Sequence, residues 1–288
     1  MKQRLADFLY APLYVILRLT ALFPLGALYP LADLLAWMMR CVVRYRRKVA
    51  EANLRDCFPE MSESERARIL RRFYRNFADY LMETIKLLHI SDEEMRRRIV
   101  FENLEAADSI MRSGRSVVAY FSHCGNWEWA TSLPLWSSLG KNNDVVFGQV
   151  YRPLKNQWFD RLFLRLRQRF GSVCFAKRMV LRHLIELRRD GKVTMTGFMS
   201  DQKPSHGDPT FVTTFLNRPT ALITGTETLA RKLGMGAVYM DMEKISRGHY
   251  KVVIRHMADD ASALEPMELT RRYGLMLQAT IERAPLIW

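Results

Sequence analysis

Apolar and polar positions divide the chain into three regimes. Residues 5–39, LADFLYAPLYVILRLTALFPLGALYPLADLLAWMM, are almost continuously apolar, interrupted by Arg18, Pro12, Pro24 and Pro30. A bilayer-spanning helix needs about 20 apolar residues, and the longest charge-free run, Leu19 to Ala32, is shorter and holds two prolines. The pattern predicts a membrane-attached helix or a broken helical hairpin, with an internal buried helix pair as the alternative. No small-residue cleavage site closes an apolar core, so the segment does not read as a secretory signal. Residues 49–88 show helical spacing, with Ile69, Leu70, Phe73, Tyr74, Phe77, Tyr80, Leu81 and Ile85 on one stripe. Ser62-Glu63-Ser64-Glu65 reads as a capping signal for that helix. Arg66, Arg68, Arg71, Arg72 and Arg75 cover its remaining surface, either as a solvated face or as contacts for anionic headgroups.

From Ile99 the pattern alternates between strand and helix. Strands are expected at 99–101, 116–121, 144–150, 192–199, 211–215, 236–242 and 250–255. Helices are expected at 104–112, 126–139, 156–170, 177–189, 222–233 and 266–283. This alternation implies an α/β fold with a mainly parallel central sheet flanked by helices. The organisation is then a membrane-attached helical segment over residues 1–45 and one α/β domain over 46–288.

The run VVAYFSHCGNWEW, Val117 to Trp129, joins a buried strand to a polar turn and a helix start. It places His123 at the carboxyl end of the strand and Glu128 in the first helical turn. The loop between them can bring carboxylate to imidazole, the arrangement of a general base. The spacing alone is weak, because His89 and Glu94 share it. That pair lies between two helical patterns and reads as a surface His beside an N-cap at Ser91 or Asp92. The strand before His123 separates the two. Arg152 and Asp201 also follow apolar strands immediately, and ligands of open α/β sheets bind beyond the carboxyl ends of strands. Arg152 suits phosphate or an oxyanion. Asp201 suits orientation of Arg152 or of substrate. Each has a plain alternative, a surface salt bridge or a turn residue. His206, in a polar loop, is a weaker candidate. Arg161, Arg165 and Arg169 share one helix face, opposite Leu162, Phe163, Leu166 and Phe170; that face meets either solvent or an acidic partner or membrane surface.

The formal net charge of +14 excludes basic partners and favours acidic ones. Arg40, Arg44, Arg46, Arg47 and Lys48 follow the apolar segment, as the positive-inside bias or an anionic lipid surface requires. This puts the rest of the chain on the cytoplasmic side. The basic residues are not interleaved with aromatics as a nucleic-acid platform needs. Cys41, Cys57, Cys124 and Cys174 show no C-x-x-C pair and no zinc spacing, which points to free thiols. Cys124 beside His123 leaves a thioesterase reading open.

The blocks HCGNWEWA, VYRPLKNQWFD, the strand ending in SDQ, and FLNRPTALITGTETLARKLGMGAVY resemble the bacterial lipid A biosynthesis acyltransferases, the Kdo-dependent lauroyl/myristoyl transferase family. The resemblance implies a glycerophosphate-acyltransferase-like fold at the cytoplasmic face of the inner membrane. It implies transfer of a fatty acyl group from acyl carrier protein to a hydroxyl of a lipid A precursor. His123 would then be the base, Glu128 its orienting partner, and Arg152 and Asp201 further polar site residues. Asn126 would help shape the oxyanion or acceptor pocket. No metal and no diffusible cofactor is implied, because the acyl group arrives as a thioester on the carrier's phosphopantetheine. The partners implied are acyl carrier protein, a glycolipid acceptor and an anionic membrane surface. An aminolipid or phospholipid acceptor is the alternative within the same chemistry. The chain departs from the family at PLIW, where relatives usually continue, and at Leu216-Asn217-Arg218 and Glu227, where many have Phe-Phe-Gly and no acid.

Overall fold

In a computed structural model, which describes residues 2–288 with side chains from Leu9 onward, the apolar N-terminal run forms two helices. Helix α1 (Lys2–Leu22) breaks at Pro24 and α2 (Leu25–Trp37) follows, continuing as a π-helical turn to Val42. The apolar run is therefore broken at Pro24 into two helices. Helix α2 buries Leu25, Leu28, Ala32 and Ala36, while Leu31, Leu34 and Trp37 stay exposed. Val15, Ile16, Leu19 and Leu22 of α1 are exposed as well. The 18-residue stretch Leu25–Val42 is long and apolar enough to cross a bilayer by length and composition. Helix α3 (Arg47–Cys57) leads into α4 (Glu63–Lys86), whose N-terminus carries the expected capping box: the Glu65 N–H donates to the Ser62 hydroxyl and the Ser62 N–H to the Glu65 carboxylate. At its other end Lys86 Nζ donates to the Ala21 and Phe23 carbonyls, which α1 leaves without helical partners.

Helix α5 (Asp92–Arg98) precedes β1 (Ile99–Glu102), α6 (Glu105–Arg112) and β2 (Val117–Phe121). Then come β3 (Val145–Tyr151), α7 (Gln157–Arg167), β4 (Val173–Ala176), α8 (Val180–Arg189) and β5 (Val193–Met199). The hairpin β6 (Thr210–Phe215) and β7 (Arg218–Ile223) leads to α9 (Gly225–Leu233), β8 (Gly236–Ser246), β9 (His249–Ala258) and α10 (Glu268–Arg283). The seven-stranded sheet has the order β1-β9-β8-β2-β5-β3-β4, parallel throughout except where β8 meets β9. Strand β2 is central and buried along its whole length. Successive side chains of a strand point to opposite faces. Val117, Ala119 and Phe121 join the core with α2, α4, α6 and α7, and Val118 and Tyr120 join the other with α8, α9 and α10. The protein is thus α/β, with a mostly parallel sheet between helical layers.

Three local expectations are corrected. No α-helix runs over 126–139; a 3-10 helix covers Trp129–Leu135. Pro134 cannot donate into an α-helical ladder. The hydroxyls of Thr131 and Ser132 donate to the Glu128 and Trp129 carbonyls, competing with helical bonds. Strand β4 was not expected, being only four residues long. Strand β7 was not expected, and its last two residues, Leu222 and Ile223, fall where the helix was expected to start; it pairs antiparallel with β6 outside the main sheet. The turn between them puts Leu216 and Asn217 at φ +47° and +62°, as a two-residue hairpin requires.

Candidate active site

Strands β2 and β5 pair in parallel with Val117 opposite Met195 and Phe121 opposite Met199. Continued two residues past the strand ends, this register sets His123 opposite Asp201. Imidazole Nδ1 lies 2.8 Å from Asp201 Oδ1, and the His123 backbone N–H donates to Oδ2 at 2.8 Å. The Trp288 indole N–H donates to Oδ2 at 3.0 Å. Asp201 is 1% exposed at its side chain and His123 27%. A buried carboxylate held by three donors fixes the ring and selects the tautomer with the proton on Nδ1. Nε2 is then the free lone pair. The edge of the imidazole meets Trp127, which stacks on Tyr80 with ring centroids 4.2 Å apart.

The turn after His123 depends on Gly125, whose φ is +60° and whose missing Cβ would lie 2.8 Å from Met242 Sδ. The space that a side chain would take here is filled by the protein's own core, Met242 and Tyr250. Asn126 is buried; its amide N–H donates to Glu83 at 2.8 Å, and its carbonyl oxygen accepts from the Trp129 N–H. It holds the turn in shape and lines neither cavity described below, contrary to the expected role in a pocket.

Glu128 does not reach His123. It makes a two-point ion pair with Arg167 of α7, at 2.8 Å from Nε and 2.5 Å from Nη2. The expected orienting carboxylate is thus replaced by Asp201, because strand register delivers Asp201 to the imidazole while the 3-10 turn carries Glu128 toward α7. Burial opposes the charge on Arg167, but the hydrogen bonds and charge of Glu128 outweigh it and hold the guanidinium pKa above its ordinary value. Arg167 was missed in the sequence. Its signal was there: it lies four residues after Phe163, on the apolar side of α7, and its guanidinium covers that ring at 5.3 Å.

Arg152 is exposed beyond β3, on the rim of a cavity that His123 also lines. It does not meet Asp201, whose oxygens are committed to His123 and Trp288. His206 is exposed in the loop after Asp201. Cys124 is fully buried, and burial pushes its thiol pKa up to about 12. A thiol so placed is neither ionised nor accessible at neutral pH, which removes it as a nucleophile. The second matching pair behaves as a surface feature: His89 is exposed, and Ser91 caps α5 by accepting the Glu94 N–H.

Two cavities meet at His123. One, of about 700 Å³, runs between α3, α4 and the segment Pro285–Trp288, with Tyr45, Val49, Phe73 and Phe77 on its apolar wall. The other, of about 710 Å³, lies over the carboxyl ends of β2, β3 and β5, with Phe147, Val150 and Phe198 inside and Arg152 and Lys177 at its polar side. His123, Tyr80, Trp127, Gln202 and Lys203 line both. A base placed between two largely apolar spaces can move a proton between two bound chains.

The sequence model of the bacterial lipid A biosynthesis acyltransferase family matches residues 2–288. Among curated proteins, lipid A biosynthesis acyltransferase 2 of Shigella flexneri is 25% identical over 56% of this chain and 49% of its own length. The lipid A biosynthesis myristoyltransferase of Escherichia coli K12 is 26% identical over 50% of this chain and 43% of its own. The lauroyltransferase of the same organism is 26% identical over 76% of this chain and 68% of its own. Against the first two of these relatives, the chain spans about half of their length.

Proposed function

The chain belongs to the bacterial lipid A biosynthesis acyltransferases, and from that premise we propose that it transfers a fatty acyl group from acyl carrier protein to a hydroxyl of a lipid A precursor, as a late acylation. The observation that carries this reading is the pairing of His123 Nδ1 with the buried Asp201 carboxylate at the junction of two apolar cavities. His123 Nε2 takes the proton of the acceptor hydroxyl as its oxygen attacks the thioester carbonyl. The tetrahedral intermediate collapses, the C–S bond breaks, and the departing thiolate takes the proton back from His123. Positioned base catalysis of this kind contributes about 10²–10⁴-fold in rate. Asp201 holds the ring and stabilises the transient imidazolium. Arg152 brings positive charge to the second cavity, where charge develops on the carbonyl oxygen or a phosphate arrives. The acyl group reaches the protein already activated, so the reading invokes no metal and no diffusible cofactor.

The exposed apolar residues of α1 and α2, with Tyr45, Arg46 and Val49 on both the adjoining surface and the first cavity, support a site at a membrane. The basic balance suits an anionic leaflet and an acidic carrier protein. We place the protein on the cytoplasmic face of the inner membrane. Mass spectrometry of lipid A from cells lacking the protein tests the reading. Loss of one acyl chain, restored by wild type and not by His123→Ala, is expected. An unchanged lipid A profile with an altered aminolipid or phospholipid profile would move the activity to that acceptor.

A further inference from the structure

The segment Pro285–Trp288 is fastened into the candidate site by three consecutive residues. The Leu286 carbonyl accepts from the Asn76 amide of α4 at 2.9 Å. The Ile287 carbonyl accepts from the Gly125 N–H at 2.8 Å. The Trp288 indole donates to Asp201 Oδ2 at 3.0 Å, on the carboxylate whose other oxygen holds His123. Within the protein, Oδ2 receives one further donor, the His123 N–H. Trp288 therefore supplies one of three hydrogen bonds that fix Asp201, and it comes from an element remote from both strands. Its ring also lines the first cavity.

The geometry points to Trp288 as a positioning residue for acyl transfer: it acts through Asp201 to set the orientation of His123. The inference rests on the reading of His123 as the base. His123 engages both carboxylate oxygens, Oδ1 with its ring and Oδ2 with its N–H, so those two bonds tie Asp201 only to the residue it positions. The Trp288 N–H is the contact that ties the carboxylate to a separate element. Without it carboxylate and imidazole can shift together, away from the attacking hydroxyl. The effect belongs to the chemical step, so it should be read in kcat rather than in KM.

The test is a double-mutant cycle on the full chain, with initial rates from acyl-loaded carrier protein to the hydroxylated glycolipid. Trp288→Phe keeps an aromatic ring in the cavity wall and removes the donor. A loss of about tenfold in kcat at unchanged KM is expected, the worth of one hydrogen bond to a charged group. In an Asp201→Asn background the same change should cost nothing further. Equal losses in both backgrounds, or a loss confined to KM, would make Trp288 a wall of the cavity and overturn the proposal. Wild-type kcat in Trp288→Phe would overturn it as well. If Asp201→Asn alone is silent, Asp201 does not position His123 and the proposal fails, whereas a silent His123→Ala would sink the reading of His123 as the base. Thermal melts of each variant separate a loss of folded protein from a loss of turnover.

Discussion

Glu128 and Arg167 face each other through two hydrogen bonds, with the carboxylate only 2% exposed and the guanidinium 22%. Removing one partner strands the other in a medium that solvates it poorly. Arg167→Met is expected to lower unfolding free energy by about 3–5 kcal/mol, the usual cost of breaking a buried pair. The double variant Arg167→Met/Glu128→Leu should recover much of that loss, since no charge is left behind. Urea titrations of wild type and the two variants check this. A single variant as stable as wild type would show that the pair is solvated.

His123 and Cys124 are neighbours with opposite prospects. His123→Ala should reduce turnover by about 10²–10⁴-fold, the contribution of a positioned base. Cys124→Ala should leave turnover at the wild-type level, because its thiol is buried and its pKa is pushed up to about 12. Steady-state rates decide. A Cys124→Ala variant as impaired as His123→Ala would revive a thiol mechanism.

Glu83 of α4 accepts from the Asn126 amide and the Tyr250 hydroxyl at 2.8 Å and from the Tyr29 hydroxyl at 3.3 Å. Burial raises its pKa above the ordinary 4.5, against the opposing pull of Lys244 and of the Asn126 and Tyr250 hydrogen bonds. A raised folded-state pKa means that the folded protein holds this proton more tightly than the unfolded chain. The stabilisation is complete below about pH 4.5 and is lost as pH rises through the folded-state pKa. Thermal melts of wild type and Glu83→Gln at pH 5 and pH 9 should show the wild-type advantage shrinking toward pH 9. A difference independent of pH would mean that Glu83 has the same pKa folded and unfolded.

Leu31, Leu34 and Trp37 form an exposed apolar face of α2. Replacing all three with Gln should leave the melting temperature close to wild type, since exposed sites seldom shift stability by more than about 0.5 kcal/mol. Binding to anionic vesicles should fall by at least about tenfold, because each such side chain is worth about 1.5–3 kcal/mol when buried in lipid. Vesicle sedimentation measures it. Undiminished binding would assign the membrane contact elsewhere.

The elements legible in the sequence were those whose burial repeats locally. Val117–Phe121 shows its burial in an unbroken apolar run, and α4 in a stripe at helical spacing with its Ser62 cap. The stretch after His123 misled because apolar content and Trp127-Glu128-Trp129 suggest a helix, whereas Pro134 and two hydroxyls turn it into a 3-10 segment. The site itself was half legible. His123 and Asp201 were both marked by the strands before them, but their contact spans 78 positions and depends on a register that no local pattern encodes. Glu128 was chosen by proximity along the chain, and proximity proved the weaker guide. Glu227, an expected departure, has a structural use: it accepts from the Met267 and Thr270 N–H groups and the Thr270 hydroxyl at the start of α10.

The alignment of β2 with β5 bears on how the protein matures. Between the two strands the chain leaves to build β3 and β4 at one edge, and only then returns to the centre. Closing so long a loop is entropically uphill until the strands engage, so non-local pairings of this kind tend to form late. A nascent chain that has made β2 but not β5 carries His123 without its carboxylate. Under the proposed mechanism, competence then arrives as a by-product of completing the sheet, and a half-made protein on the ribosome has no assembled pair with which to activate a hydroxyl.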